Sequence, residues 1–157
     1  LGDVYKRQNL FISQSAIEHF EYDLLYFRQI KEFIKKTNKE VFQIHLFPSE
    51  PCLVNYLCHG VRQYSHRSIS KIVQIFIENS YAVLYPLGGK NLNNFHFREI
   101  TIPLLITKKY KDFMFMNLDK YKVSMLESLK KDQEIKRYYK PAFYALLIHS
   151  NYKKVLF

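Results

Sequence analysis

Apolar and polar residues follow two different rhythms along this chain. Ile17, Phe20, Leu24, Phe27, Ile30 and Ile34 recur at intervals of three and four, which places them on one stripe of a helix. Ser15-Ala-Ile-Glu18 has the spacing of a capping box, so the pattern predicts a helix beginning at Ser15 and running to Asn38. Lys31, Lys35, Lys36 and Lys39 crowd its C-terminal end, where cations favour the negative pole of the helix dipole. The rhythm then turns extended through Val41, Phe42, Ile44, Leu46 and Phe47, and stops at Pro48. Pro48 and Pro51 bracket a turn before a second extended run through Leu53, Val54, Tyr56, Leu57 and Cys58.

A second helix is expected from about Ser65 to Asn79, with Ile69, Ile72, Val73 and Phe76 inward. Residues 81 to 87 read as a strand, and Gly88-Gly89-Lys90-Asn91 reads as a hairpin turn. Ile100, Ile102, Leu104 and Ile106 alternate with Thr101, Pro103 and Thr107, which predicts a strand; Pro103 assigns it to an edge or a bulge. The short apolar segment Phe113 to Met116 precedes a third helix over Leu118 to Lys131, its inner side marked by Leu118, Tyr121, Met125, Leu126 and Leu129. Residues 143 to 148 predict a last, well-buried strand. From residue 52 onward the order is strand, helix, strand, strand, helix, strand, the ferredoxin-like split βαβ arrangement. The expected class is therefore an α/β (α+β) sandwich: a ferredoxin-like domain over residues 51–157, preceded by a helix–strand extension over 9–50.

Composition adds a partner class. The chain has 157 residues, 48% of them apolar, enough for one domain with a substantial core. Its 24 Lys and Arg stand against 14 Asp and Glu, a net charge of +10. Lys outnumbers Arg 18 to 6, and Asn, Ile, Phe and Tyr are also plentiful, as an AT-rich genome would produce. Residues 1–8 begin without Met and look like a translated sequencing adapter, so they are set aside from the fold. No run approaches the roughly 18 consecutive apolar residues of a membrane-spanning helix.

The charge is uneven. Residues 108–157 hold 12 Lys and Arg against 5 Asp and Glu, a net of +7, whereas residues 1–107 hold 12 against 9, a net of +3. Lys108, Lys109 and Lys111 form one cluster, and Lys136 and Arg137 adjoin Tyr138 and Tyr139. Cations attract phosphates by releasing counterions, and exposed aromatic rings stack on unpaired bases, so this third of the chain is a candidate RNA-binding surface. Lys90, in the predicted turn, is counted with it.

Other chemistries fit the spacing less well. Cys52, Cys58 and His59 contain no CxxC or HxxxH pair that would complete a zinc site, so no metal is expected. Gly88-Gly89-Lys90-Asn91 is too short for a phosphate-binding P-loop, and with four glycines and no dinucleotide fingerprint no cofactor is expected either. His96, Arg98 and Glu99 could serve acid–base work or grip a phosphate, although alternate polar residues on a half-exposed strand account for them more simply. No catalytic residue is assigned.

Three segments bear on a family. Tyr64-Ser-His66-Arg67, Lys71-Ile72-Val73 followed by Val83 and Pro86, and Ile102-Pro103-Leu104 followed by Thr107-Lys-Lys-Tyr-Lys111 occur in one order. Together they resemble the small ribosomal subunit protein S-ten family, over roughly residues 60–111. The resemblance implies a ferredoxin-like fold, rRNA contact by His66, Arg67 and the lysines of 108–111, and neighbouring ribosomal proteins as partners. It departs from the family in a short helix after Arg67, a long interval from Val83 to Ile102, and the placement of the basic segment after the third strand.

The expected function is thus a structural RNA-binding protein, a divergent organellar ribosomal protein of the mitochondrion or the cytoplasm, docking on rRNA or another structured RNA through His66, Arg67, Lys90, Lys108, Lys109, Lys111, Lys136 and Arg137. A fragment of an α/β glycosyltransferase-like enzyme of surface-carbohydrate synthesis, with His96, Arg98 and Glu99 holding the donor, is the alternative. A protein-interaction module presenting the helix from Ser15 to Asn38 is a third.

Overall fold

The computed structural model describes residues 9–56, 62–107, 118–135 and 140–155. The predicted mixed α/β class is what the chain adopts: among the described residues there are five α-helices and a four-stranded mixed sheet. The chain divides into two compact units.

The first unit spans residues 1–47, 64–85 and 144–157. Its sheet contains β1 (Leu10–Gln14), β2 (Val41–Pro48), β3 (Ser80–Leu87) and β4 (Phe143–Ser150), in the order β1-β2-β4-β3. β1 and β2 run parallel, with Leu10 opposite Phe42 and Gln14 opposite Leu46. Parallel neighbours need a crossover, and α1 (Asp23–Thr37) supplies it. β4 runs antiparallel to β3: Ala142 N–H donates to Leu87 O at one end, and Asn151 N–H to Asn79 O at the other, at 3.0 and 2.7 Å.

α1 packs with α2 (His66–Ile75) on one face of this sheet. Their inward stripes, Phe27, Ile30 and Ile34 from α1 and Ile69 and Ile72 from α2, meet Val41, Phe47, Tyr144, Leu146 and Ile148. Burying such a side chain fully contributes about 1.5–3 kcal/mol relative to leaving it exposed, so this cluster is the main source of stability in the unit. α1 ends at Asn38, whose φ of 50° is the left-handed cap that Asn tolerates.

Several boundaries differ from the sequence pattern. Ser15 does not cap a helix: it has φ 46°, its N–H donates to Leu46 O at 3.0 Å, and α1 begins eight residues later at Asp23. Joining the β1–β2 ladder takes the amide that a capping box would have covered. A single 3-10 turn, Ile17–His19, occupies the interval and buries Ile17. Leu10–Gln14, given no strand by the pattern, form the edge strand β1, and the 9–50 stretch shares its sheet with β3 and β4.

The second unit spans residues 48–63 and 86–143. The extended run expected through Leu53, Val54 and Tyr56 is instead part of 3-10 turns over Glu50–Tyr56, kinked at Cys52; Leu57 lies outside the described residues. Pro51 suits the first turn of a helix, and Cys52 is held by backbone: its thiol lies 2.8 Å from Ser49 O and 3.0 Å from Ala142 O. Cys58 lies outside the described residues.

The alternating stretch 100–107 is also helical. α3 (Lys90–His96) runs into a π-helical turn, Phe97–Thr101, and then into α4 (Ile102–Thr107). Ile102, Leu105 and Ile106 are exposed, so the apolar residues do not form the buried face of a strand. Pro103 closely follows the π-helical turn, so the helix runs on through a residue that has no N–H to donate. Since 52–56 and 100–107 are helical, the strand–helix–strand–strand–helix–strand order expected from residue 52 onward is not adopted. α5 (Leu118–Gln133) completes the unit and packs on α3. The segment 113–116 lies outside the described residues.

Candidate functional site

Positive charge in the first unit collects on the outer side of its helical layer. α1 and α2 together carry Arg28, Lys31, Lys35, Lys36, Arg67 and Lys71 against two carboxylates, Asp23 and Glu32, a net of +4. Helical spacing explains the sorting: Ile30 and Ile34 point inward, while Arg28, Glu32, Lys35 and Lys36 are exposed. Asp23 contributes little negative surface, because it is buried and accepts from Tyr64 Oη at 2.8 Å and from Leu24 N–H at 2.9 Å. Lys31 reaches Glu78, 3.7 Å away, leaving the other cations as the outer charge of the layer.

His66 and Arg67 open α2, and both are exposed. Ser65 caps the helix by accepting from Ser68 N–H at 3.2 Å. The His66 ring is oriented by Tyr144, with its Nε2 3.5 Å from the hydroxyl and the two rings edge to face at 5.3 Å. His66 and Arg67 thus join the basic layer of the first unit, whereas Lys90 belongs to the second. Lys108, Lys109, Lys111, Lys136 and Arg137 lie outside the described residues. Arg28, Lys35, Lys36 and Lys71 are not among the sequence-predicted RNA-binding residues; compensation of the helix dipole accounts there for Lys35 and Lys36. The signal that would have found them is the sign of the charge on the outer helical stripe.

In the second unit the Gly88–Asn91 segment does not turn back into a hairpin. It leads from β3 into α3, with Gly88 at φ 63°. That φ favours glycine, and a Cβ there would also meet Leu92 Cδ2 at 2.4 Å and displace that side chain. The amides of this connection face a buried carboxylate of the same chain. Asp132, on α5, accepts from Gly89 N–H at 2.7 Å, Asn91 N–H at 2.9 Å, Leu92 N–H at 2.9 Å and Asn91 Nδ2 at 3.0 Å. The position a phosphate would take in a nucleotide loop is therefore filled by Asp132.

His96, Arg98 and Glu99 do not converge. His96 lines a cavity of about 240 Å³ with Asn55, Leu92, Phe95 and Tyr121. Its Nδ1 is 3.5 Å from Thr101 Oγ1, which donates to Asn55 O at 2.9 Å. Arg98 instead lies 3.7 Å from Glu99, and its side chain is 70% exposed. Burial pushes the Tyr121 hydroxyl pKa up, so this cavity has no ready acid or base in that phenol. The Cys52 thiol is likewise pushed up by burial, against the lowering effect of its Ser49 contacts, which leaves it a poor nucleophile.

Two histidines of the first unit were not anticipated. His45 is fully buried on β2, its Nδ1 2.8 Å from Ser13 Oγ and its Nε2 3.2 Å from Gln43 Oε1. His149 on β4 lies between Glu40 Oε1 at 2.9 Å and Tyr81 Oη at 3.0 Å. Among the described residues no three His, Cys, Asp or Glu side chains are grouped as a metal site, and no helix is long and apolar enough to cross a membrane. The chain matches no protein-family model and no curated protein.

Proposed function

We propose that this chain is a structural RNA-binding protein that docks by electrostatic positioning and makes or breaks no bond. The observation that carries the reading is the basic outer face of α1 and α2, net +4 over two packed helices, with exposed His66 and Arg67 at one end. Such a face can position a phosphate backbone without reading its sequence. The ribosomal form of this reading, with rRNA and neighbouring ribosomal proteins as partners, rests on the S-ten resemblance, whose Tyr64–Arg67 element opens α2.

The test is binding of a structured RNA across a salt series, with wild type and a variant carrying Arg28→Gln, Lys35→Gln, Lys36→Gln and Lys71→Gln. Each lost phosphate contact should flatten the plot of log affinity against log salt by about 0.9, the value for B-DNA, so the variant should lose a slope of about 3.6. Equal slopes would remove the helical layer from the interface.

A second reading, half of an α/β nucleotide-sugar enzyme, is favoured by the parallel β1–α1–β2 unit. Its proposed donor group of His96, Arg98 and Glu99 is not gathered into one pocket, which is why the RNA reading is preferred.

A further inference from the structure

The second unit holds a cleft of about 450 Å³ whose lining includes two cations, Lys90 and Lys140, the amides of Asn55 and Asn93, and apolar walls from Pro51 and Phe97. None of the described residues lining it is acidic. Its volume is within the range of small-molecule sites, roughly 300–1,000 Å³.

The backbone at its rim is held in an uncommon conformation. Among the described residues, five non-glycine ones have positive φ, and three of them are Asn, which tolerates it. Lys140 does not belong to that class, and it has φ 59° immediately before Pro141, a position biased towards extended backbone. Its surroundings fix it. Asn93 Nδ2 donates to Lys140 O at 2.8 Å, Ser49 Oγ donates to Pro141 O, and Cys52 Sγ lies 3.0 Å from Ala142 O. Asn55 Nδ2 in turn donates to Asn93 O and Oδ1, each at 3.2 Å, so the amides on the cleft wall are linked to the strained rim. A chain pays for left-handed lysine with neighbours that over-determine it, and such strain concentrates where a side chain must be aimed.

We propose that this cleft binds a nucleoside monophosphate. The Lys90 and Lys140 ammonium groups supply the charge for a phosphate dianion, and the Phe97 ring with Pro51 supplies an apolar wall against which a base can lie. The amides of Asn55 and Asn93 remain able to bond to base or ribose through lone pairs and protons not used between them. The site does not rest on the RNA reading, because every residue of it is in the second unit and the basic helical layer is in the first.

The experiment is calorimetric titration of the full chain with uridine monophosphate, uridine and inorganic phosphate. The nucleotide should bind saturably and about tenfold tighter than either part alone, the difference that one charge-assisted contact makes. Lys140→Gly keeps the left-handed backbone and removes the charge; Lys90→Met keeps the apolar stem. Each should weaken the nucleotide about tenfold while leaving uridine unchanged. Absence of saturable binding, equal affinity for uridine or for phosphate, or unchanged affinity in both folded variants would each overturn the proposal. RNA affinity lost in the four-site α1–α2 variant with nucleotide binding intact would show that the two surfaces act separately.

Discussion

His45 and His149 occupy the same sheet, and both are almost wholly buried with a partner at each ring nitrogen, yet their partners differ in kind. His45 has only neutral ones. Gln43 Oε1 accepts from Nε2–H, and Ser13 Oγ–H then donates to Nδ1, so the neutral ring is the form that fits. Phe27 and Tyr26 pack edge-on against it and leave no counterion for a charged ring. Burial accordingly lowers its pKa to about 4. His149 has a carboxylate 2.9 Å from Nε2, and Glu40 is 40% exposed, so water reaches one end of the pair. The two sites differ in what surrounds the ring: burial among neutral partners lowers the His45 pKa, whereas the His149 ring is held by a carboxylate.

The largest expected effect breaks this contrast with acid. The unfolded ring titrates near 6.5 and the folded ring near 4, so between those values the unfolded state binds more protons and stability falls as the pH falls. From pH 7 to pH 4 the His45 contribution lost should be about 3 kcal/mol. Urea unfolding of wild type and His45→Gln at both pH values measures it as the difference between their pH dependences; identical dependences would exclude His45 as the group.

Ser13→Ala removes the donor to Nδ1 and leaves a buried acceptor unpaired, which should cost about 1–2 kcal/mol at pH 7 in the same unfolding measurement. An unchanged midpoint would show that the Ser13–His45 contact contributes nothing net. Glu40→Gln should have the smallest effect, under about 1 kcal/mol, because the carboxylate is partly solvated and the amide oxygen can still accept from Nε2. A loss larger than that of Ser13→Ala would reverse the ranking of the two sites.

Some of the fold was legible in the chain. The three-and-four spacing from Ile17 to Ile34 announced α1, and the extended runs at 41–47, 81–87 and 143–148 announced β2, β3 and β4. The segments that misled did so for one reason. Residues 100–106 are apolar at every position except Thr101, so alternation and helical spacing fit them equally, and length and partners had to decide. The basic cluster at 108–111 and 136–137 was equally visible as charge, but the helical layer bearing Arg28, Lys35, Lys36 and Lys71 needed a structure to show which side of each helix faces out.

The sequence by itself determined the mixed α/β class, the apolar stripes of α1 and α2, and an excess of cations over anions. These are properties of spacing and composition. It did not determine which face of β2 would be buried deepest. Phe42, Ile44 and Leu46 are the apolar alternation there, yet Val41, Gln43, His45 and Phe47 are the residues fully enclosed. Nor did it show that the Gly88–Asn91 amides would close on Asp132, or that Lys140 would be turned into a cleft beside Lys90. Those outcomes depend on contacts between residues 32 to 92 positions apart, where a buried polar group is stable only once a distant partner arrives to pair with it.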